Sequence, residues 1–432
     1  MSIMRLKNAL LILSCCFIFQ SYLVGQDKEY PEFRNYDYIY KEYIKSVRFH
    51  QFDSETDYPI LSLQNPGYFI FSFDDMEAYT KDFSYKIIHC DANWNPSENL
   101  EALDYIEGYQ ENRFYESQNS FNTKVPYTHY EVQLPNEDVK WTKSGNYLLK
   151  VYRDDDEKDL IITRRFMIVD TQMKVVPNMR RSATPPYSSS HQEFYFSIEH
   201  SGVRIGNPGE QIKAVILQNG RWDNAITDLE PTYIKNEEIG YDMHGKVLFP
   251  GYKEFRPLDL RSFRYRTIQV ERIQEYNDGF ELWLFEDRSR LYTSHVFTHD
   301  LNGKFFIESN DDREGTLEGE YATVNFSLKA LSHYEGEVYV LGEFNNFRPK
   351  PAYKMNYNSD CLCYQLSNTF KNGFYDYYYG IFDNSTDELN IQEIEGSSFE
   401  SENDYLFLVY YKTFGGMYDQ LVAVQKLNTR PK

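Results

Sequence analysis

The stretch that decides the fold is GNYLLKVYRDDDEKDLIITRRFMIVD, residues 145–170. Two runs rich in β-branched and aromatic residues flank acidic residues 154–157, which predicts two strands joined by a solvated turn. A calcium loop is the weaker interpretation of this turn, because such a loop needs a glycine at its sharp bend. Tyr147, Leu149 and Val151 share one face of the first strand, which is typical of a sheet with its other face in water.

Similar runs recur along the chain, separated by clusters of Pro, Gly, Asn and Asp at the spacing typical of β-sandwiches. A helical pattern is clear only in NLEALDYIE, residues 99–107. The chain shows no repeat with a period of 20–50 residues, which argues against a solenoid or a propeller. The sequence therefore predicts an all-β protein built from three serial β-sandwich domains.

Composition changes indicate where these domains begin and end. Arg5 and Lys7 precede an apolar run at residues 9–19, which predicts a signal peptide over 1–25. A lipoprotein signal at Cys15 or Cys16 is the weaker alternative, because too few apolar residues precede either cysteine. We expect a first domain with a long insertion over 26–170, a second over 171–303 and a third over 304–432.

Charge and missing motifs exclude several classes of function. The formal net charge of −21 disfavours a nucleic-acid partner, because phosphate binding needs a basic surface. No later stretch is long and apolar enough for a membrane helix, so we expect no direct membrane span. The chain contains no P-loop, dinucleotide-binding, zinc-protease or nucleophile-elbow motif. We therefore expect no cofactor. The absent motifs do not by themselves exclude an enzyme, because the catalytic carboxylates of glycosidases carry no local signature.

The cysteines and histidines do not form a convincing metal site. Cys361 and Cys363 would share one face of a strand, where a bridge between them is geometrically poor. We expect free thiols there and at Cys90; a bridge to Cys90 or a metal pair remains open. His295 and His299 would lie about 13 Å apart on a strand, too far for one ion. We therefore interpret these histidines, and the adjacent residues His89, Cys90 and Asp91, as structural.

Residues 338–347, VYVLGEFNNF, and 373–384, GFYDYYYGIFDN, carry a different signal. They resemble the early-set immunoglobulin-like domains that accompany glycogen- and starch-active proteins. In those modules exposed Trp rings stack on sugar, and Phe347 stands where a Trp would be. The resemblance implies immunoglobulin-like or early-set sandwiches, and an alternative function as an exported carbohydrate-binding protein using its C-terminal domain.

Several stretches together are similar to the type IX secretion system plug proteins of Bacteroidetes-type bacteria. These stretches are SFDDM at 72–76, YKIIHCDANWNPS at 85–97, the insertion at 108–137, SGNYLLKVY at 144–152, TRRFMIV at 163–169, QNGRWDNAI at 218–226, GFYDYYY at 373–379 and EGSSFESENDYLFLVYY at 395–411. The resemblance implies a non-catalytic periplasmic protein that docks on the large outer-membrane translocon barrel and seals its periplasmic end. It implies a monomer when free, and it brings no catalytic residues. An envelope scaffold without contact to the pore is a further alternative.

Protein interfaces are enriched in Tyr, Trp and Arg, so segments dense in aromatic and basic residues are the interface candidates. Tyr378 joins them because it shares a strand face with Asp376, which we expect to be the wetter face. A core position is the competing interpretation for the aromatic residues. The candidates are Arg113, Phe114, Tyr115, Phe121, Tyr127, Tyr130, Arg261, Phe263, Arg264, Tyr265, Arg266 and Tyr378.

Overall fold

A computed structural model describes residues 30–65, 67–311 and 313–430. The predicted signal peptide, residues 1–25, lies outside the described residues. The structure is nearly all β, and its sheets pack face to face around separate hydrophobic cores. This confirms the predicted class of all-β sandwiches. Each of the three described α-helices has four residues, and no helix in this part of the chain could span a bilayer.

The first sandwich is formed by residues 38–169. Its strands are β1 (Tyr38–Ile39), β2 (Ile44–Gln51), β3 (Ile60–Ser62), β4 (Phe69–Asp75), β5 (Phe83–Cys90), β6 (Ile106–Gly108), β7 (Glu111–Arg113), β8 (Ser117–Asn119), β9 (Thr128–Leu134), β10 (Val139–Trp141), β11 (Gly145–Arg153) and β12 (Asp156–Val169), with helix α1 at Ala102–Tyr105. One sheet has the order β1-β12-β11-β5-β7, and the other has the order β2-β4-β9-β8. Phe69, Phe71 and Phe73 of one sheet pack on Tyr147 and Phe166 of the other within one core.

The second sandwich combines strands from two distant parts of the chain. They are β13 (Lys174–Arg181), β14 (His191–Glu199), β15 (Ile212–Gln218), β16 (Arg221–Ile226), β17 (Tyr233–Ile234), β18 (Glu238–Tyr241), β19 (Leu248–Pro250), β31 (Asp404–Tyr411) and β32 (Gln420–Asn428), with helix α2 at Pro208–Gln211. Its sheets have the orders β13-β14-β18-β17 and β16-β15-β31-β32. Phe194 and Phe196 face Tyr405 and Phe407 across the core.

The third sandwich lies between β19 and β31 in the sequence. Its strands are β20 (Arg256–Asp259), β21 (Val270–Tyr276), β22 (Gly279–Leu284), β23 (Asp287–Arg288), β24 (Phe305–Phe306), β25 (Tyr321–Lys329), β26 (Glu337–Leu341), β27 (Asn356–Asn358), β28 (Cys363–Lys371), β29 (Phe374–Asp383) and β30 (Glu388–Asn390), with helix α3 at Gln392–Glu395. The sheet β21-β22-β25-β28-β27 packs against the strands that pair with β29.

The predicted serial order of the domains is therefore wrong. Strand β31 pairs with β15 along its whole length, from Ile212 opposite Tyr411 to Gln218 opposite Tyr405. The third sandwich is inserted into the second, and it begins before the predicted boundary at 303/304. Local patterns identify strands but do not determine which distant strand becomes the neighbour, so the sequence could not place this boundary.

The first two sandwiches pack against each other through sheet faces. Leu148, Cys90 and Met167 on the outer face of the β11 sheet contact Leu406 and Leu408 of β31. Both faces of β11 are consequently buried, and the predicted wet face of this strand is wrong. The tight turn between β11 and β12 is confirmed, since Arg153 pairs with Asp156 around it.

The predicted helix over 99–107 is largely wrong. Only α1 is helical, held by a capping box in which Glu101 and Asp104 exchange hydrogen bonds. The following Ile106 starts β6, which pairs with β10. Four residues of helix are too few to be stable alone, and tertiary pairing overrides the local pattern.

Candidate partner interface

The insertion of the first domain closes one side of the first sandwich. Strand β7 pairs with the edge of one sheet and β8 with the edge of the other. Between them, Phe114 turns inward, and its ring lies 5.4 Å from Tyr85 and 5.5 Å from Phe73. Arg113 and Tyr115, on either side, point outward, and Tyr115 is 78% exposed. Phe114 therefore anchors the insertion to the first core, while Arg113 and Tyr115 remain exposed.

Tyr127 and Tyr130 do not belong to an exposed surface, which corrects their assignment as contact residues. Tyr130 is buried in the first core, where its hydroxyl accepts the Lys81 N–H at 2.7 Å. Tyr127 is also buried, and its hydroxyl donates to the Thr316 carbonyl at 2.8 Å. Both rings pack inside the protein, which agrees with the competing interpretation that these aromatic residues occupy core positions.

Phe121 lies where the first sandwich meets the loop at residues 313–320. Its N–H donates to the Leu317 carbonyl at 3.1 Å, while its ring remains about half exposed. Arg313 donates to the Asn122 carbonyl at 2.9 Å. The loop at residues 313–320 therefore packs against the insertion of the first sandwich.

The second predicted cluster divides into buried and exposed members. Phe263 is buried in the third core, so its assignment as a contact residue is wrong. Arg261 is occupied by ion pairs to Asp259 at 2.8 Å and Glu308 at 3.2 Å. The exposed members of this cluster are Arg264, Tyr265 and Arg266.

The structure brings the exposed parts of the two clusters to the same seam. Asp311, at the start of the loop, accepts hydrogen bonds from Ser262 at 2.6 Å and from the Phe263 N–H at 3.1 Å. On the other side, Lys124 donates to the Tyr276 carbonyl at 2.6 Å. We use the name seam surface for the exposed residues of the two segments that this contact joins, the insertion and residues 264–276, and they are Arg113, Tyr115, Phe121, Arg264, Tyr265, Arg266 and Tyr276.

Sequence reasoning missed Tyr276. It ends β21, just before the turn Asn277-Asp278-Gly279, and nearly half of its side chain is exposed. An Asn-Asp-Gly turn after an alternating strand is a hairpin signal that places the preceding ring at an accessible tip. That signal was available in the sequence, but it did not reveal that the tip lies beside Lys124.

Tyr378 is only 1% exposed, so its assignment as a contact residue is wrong. Its ring stacks on Phe255 at 3.6 Å, and its hydroxyl donates to the Lys253 carbonyl. Tyr252, Phe255 and Leu341 pack with Tyr378 on this face of β29. Asp376 is also buried, and its carboxylate accepts the N–H groups of Leu301 and Gly303. The prediction placed Tyr378 on an exposed face because Asp376 shares that face and an acidic residue on a strand ordinarily faces water.

Phe347 is buried in the same cluster, 6.0 Å from Phe255. Its ring has no free face for a sugar, because the Arg221 guanidinium lies 5.2 Å from its centre. The exposed aromatic platform required by the carbohydrate alternative is therefore absent at Phe347.

A buried ionic network joins the first and third sandwiches beneath the seam. Asp74 accepts from Lys371 at 2.7 Å, from Tyr321 at 2.6 Å and from His129 at 2.7 Å. Burial raises the pKa of Asp74, but Lys371 and His129 outweigh burial and hold this pKa below its usual value. Burial lowers the pKa of His129, and its bonds to Asp74 and Glu131 raise it above the ordinary value.

The histidine and cysteine clusters have structural partners. His89 is buried between the Ser97 hydroxyl at 2.8 Å and the Ser144 carbonyl at 3.2 Å, and His295 contacts Glu254 at 2.8 Å. No group of three His, Cys, Asp or Glu side chains in the described residues could hold a metal. Cys90 is a free, buried thiol.

Cys361 and Cys363 form a disulfide, which corrects the expectation of free thiols. Cys361 lies in the turn before β28 rather than on the strand, and Leu362 adopts a φ of +49°. This bend brings the two Cα atoms to 5.3 Å, within the range for a disulfide.

Comparison with known proteins finds a similar solved structure and a matching domain family. A crystal structure of a hypothetical protein from Parabacteroides merdae ATCC 43184 is similar with a TM-score of 0.87 and 28% identity, covering 92% of this chain and 100% of that chain. Dimeric latent PorU from Porphyromonas gingivalis aligns with a TM-score of 0.14 and 9% identity, covering 89% of this chain and 33% of that chain. This TM-score is too low to indicate a shared fold. No curated protein matches the chain significantly. Residues 44–170 match the type 9 secretion system plug protein 1st domain, so the chain carries this domain and the resemblance to the plug family is confirmed.

Proposed function

We propose that the protein is a non-catalytic periplasmic plug that docks on the outer-membrane translocon barrel of the type IX secretion system and seals its periplasmic end. The observation that carries this proposal is the plug-domain match over 44–170, which includes the insertion and its exposed aromatic residues. A plug must occupy a wide opening without deforming. Three sandwiches joined by buried side chains meet that requirement better than flexible loops do.

The seam surface is the proposed contact with the barrel. Tyr115, Phe121 and Tyr265 provide exposed rings of the kind that anchor protein interfaces. Arg264 and Arg266 form no ion pair with any described residue, so their charges are available to an acidic partner. Such contacts steer association and weaken as salt screens them.

Affinity purification tests the proposal most directly. The tagged protein is recovered from detergent-solubilised envelopes, and the proteins that accompany it are identified by mass spectrometry. Recovery of a very large outer-membrane barrel in near-equal amount supports a plug. Recovery without the barrel contradicts it and favours the envelope scaffold, while retention on a glycan column would favour the carbohydrate alternative.

A variant maps the contact within the same experiment. The double substitution Tyr115→Ala with Tyr265→Ala should reduce barrel recovery about 10-fold or more, since anchor residues dominate interface energies. Tyr292→Ala is the matched control, because Tyr292 is 96% exposed and lies outside the seam surface. Equal loss in both variants would contradict a contact at the seam.

A further inference from the structure

A basic cavity of about 130 Å³ lies where the three sandwiches meet. It receives residues from β2 and β12 of the first sandwich, from β16 of the second, and from β24 and the 343–348 turn of the third. Six Lys or Arg and five Asp or Glu residues line it, whereas acidic residues clearly outnumber basic ones in the whole chain. The basic residues that line it are Arg48, Arg164, Arg165, Arg221, Lys304 and Arg348.

Several of these cations have donors that the protein does not use. Arg164 is buried, and among the described residues its guanidinium donates only to the adjacent Thr163 carbonyl, at 3.2 Å. Arg348 lies 3.7 Å from the centre of the Tyr36 ring and makes no side-chain hydrogen bond to any described residue. Each guanidinium carries five N–H donors, so both groups can accept further oxygen partners.

Arg221 also lines the cavity, but a carboxylate already holds it. Its side chain is buried and its Nε and Nη2 atoms bind Asp223, at 3.1 Å and 2.5 Å. The remaining Nη1 atom is fully buried, so it does not face the cavity. The donors open to a ligand are therefore those of Arg164 and Arg348.

Carboxylates also line the cavity, but each is engaged with a protein partner. They are Asp37 with the Arg165 N–H at 2.6 Å, Glu55 with Arg48 at 3.4 Å, Asp57 with Lys426 at 3.8 Å, Asp223 with Arg221, and Glu343 with the Phe305 N–H at 3.3 Å. None of them lies within 4.0 Å of the Arg164, Arg165 or Arg348 guanidinium as an ion pair in this part of the chain. These three guanidinium groups therefore form no close ion pair with the lining, although Asp37 favours the charged forms of Arg164 and Arg165 from a greater distance.

Cationic groups lie close together in and around the cavity. Burial and the nearby guanidinium groups of Arg164, Arg348 and Arg34 lower the pKa of Lys350 to about 7. Burial likewise lowers the pKa of Arg165 to about 10. Both effects oppose the charged forms, as expected where cations lie together in a poorly hydrated space.

We propose that this cavity binds a small tetrahedral oxyanion, a phosphate or sulfate group, held by Arg164 and Arg348. Arginine recognises such oxygens through paired N–H groups, and several donors around one cavity suit a tetrahedral anion. The anion would join residues of the first and third sandwiches and stabilise their arrangement by binding only the assembled form. This site is independent of the proposed docking on the barrel.

Titration of the purified full chain with sodium phosphate tests the site, using calorimetry and thermal unfolding at constant ionic strength set with chloride. Saturable binding of one phosphate per chain with a rise in melting temperature is expected. An equal rise with sodium chloride or with sodium acetate overturns the proposal. So does a phosphate titration that shows no saturable heat.

Variants separate the site from general charge effects. Arg348→Gln should weaken phosphate binding roughly 10-fold to 100-fold, as expected for the loss of charged hydrogen bonds. Arg348 is only partly buried, so this variant is expected to fold; Arg164→Gln, which is fully buried, provides a second test. Arg264→Gln, on the exposed seam, is the control and should leave the affinity unchanged. Unchanged affinity in Arg348→Gln would overturn the assignment.

Discussion

The Oδ2 atom of Asp74 in the first sandwich lies 2.7 Å from the Nζ atom of Lys371 in the third, and both side chains are almost fully buried. This ion pair fixes two parts of the chain that are 297 residues apart. Taking two charges out of water is costly, so such a pair contributes less to stability than to a defined arrangement.

Asp74→Asn should lower the free energy of unfolding by about 3–5 kcal/mol, because Lys371 then remains buried without its counter-charge. Denaturant unfolding measures the loss. Asp154→Asn is the matched control at an exposed turn, where the expected change is about 0.5 kcal/mol or less. A loss below about 1 kcal/mol for Asp74→Asn would show that the pair does not matter for stability.

Acid sensitivity should depend on His89. Burial lowers the pKa of His89 to about 4, while the unfolded chain has the ordinary value near 6.5. At pH values between about 4 and about 6.5 the unfolded state binds more protons at this residue than the folded state does. The free energy of unfolding should therefore fall by roughly 3 kcal/mol as the pH drops from about 6.5 to about 4.

The comparison of wild type with His89→Gln checks this contribution, with denaturant unfolding measured at several pH values. Gln can replace the bonds to Ser97 and Ser144 but does not titrate. The variant should therefore lose less stability than the wild type across this pH window. His299→Gln, at an exposed position, is the control. Parallel pH profiles for wild type and His89→Gln would contradict the assignment.

The β31–β32 hairpin offers a matched pair for testing the insertion of the third sandwich. Phe407 is buried in the second core, 5.5 Å from Phe196, whereas Phe414 at the hairpin tip is 97% exposed. Phe407→Ala should lower the free energy of unfolding by about 3–5 kcal/mol, and Phe414→Ala should leave it nearly unchanged. Equal effects would mean that β31 does not complete the second sandwich.

Docking on the barrel should weaken with salt if Arg264 and Arg266 meet an acidic surface. Barrel recovery in the affinity purification is measured while the salt concentration rises from about 0.05 M to about 0.5 M, a range over which screening strengthens. Wild-type recovery should fall, and Arg264→Gln with Arg266→Gln should be weaker and less salt-sensitive. An identical salt profile in the variant would exclude these residues from the contact.

The sequence was most informative where local signals were strong. The two strands at residues 145–170 and the turn between them were located correctly, because turn residues and β-type runs act locally. The family resemblance was also recognisable from short stretches. The same signals could not show that β31 leaves the third block and pairs with β15, since strand partners are chosen by three-dimensional packing.

The candidate site was predicted only in part, for a similar reason. Tyr115 and Tyr265 are exposed as expected, but Tyr130 and Phe263, which belong to equally aromatic segments, are buried. An aromatic residue suits both a core and an interface, so composition alone cannot separate the two. Arg164 was not singled out at all, because the sequence gives no sign that distant cations converge.

The pairing of β15 with β31 sets an order of events for a chain that forms from its N-terminus. The second sandwich cannot close until the strands at residues 404–428 are available, although its first strands appear more than 200 residues earlier. Contacts between such distant segments form slowly, because a long loop must be closed first. Assembly is therefore completed only at the end of the chain, so a fragment truncated before β31 would lack the finished body rather than keep two working domains.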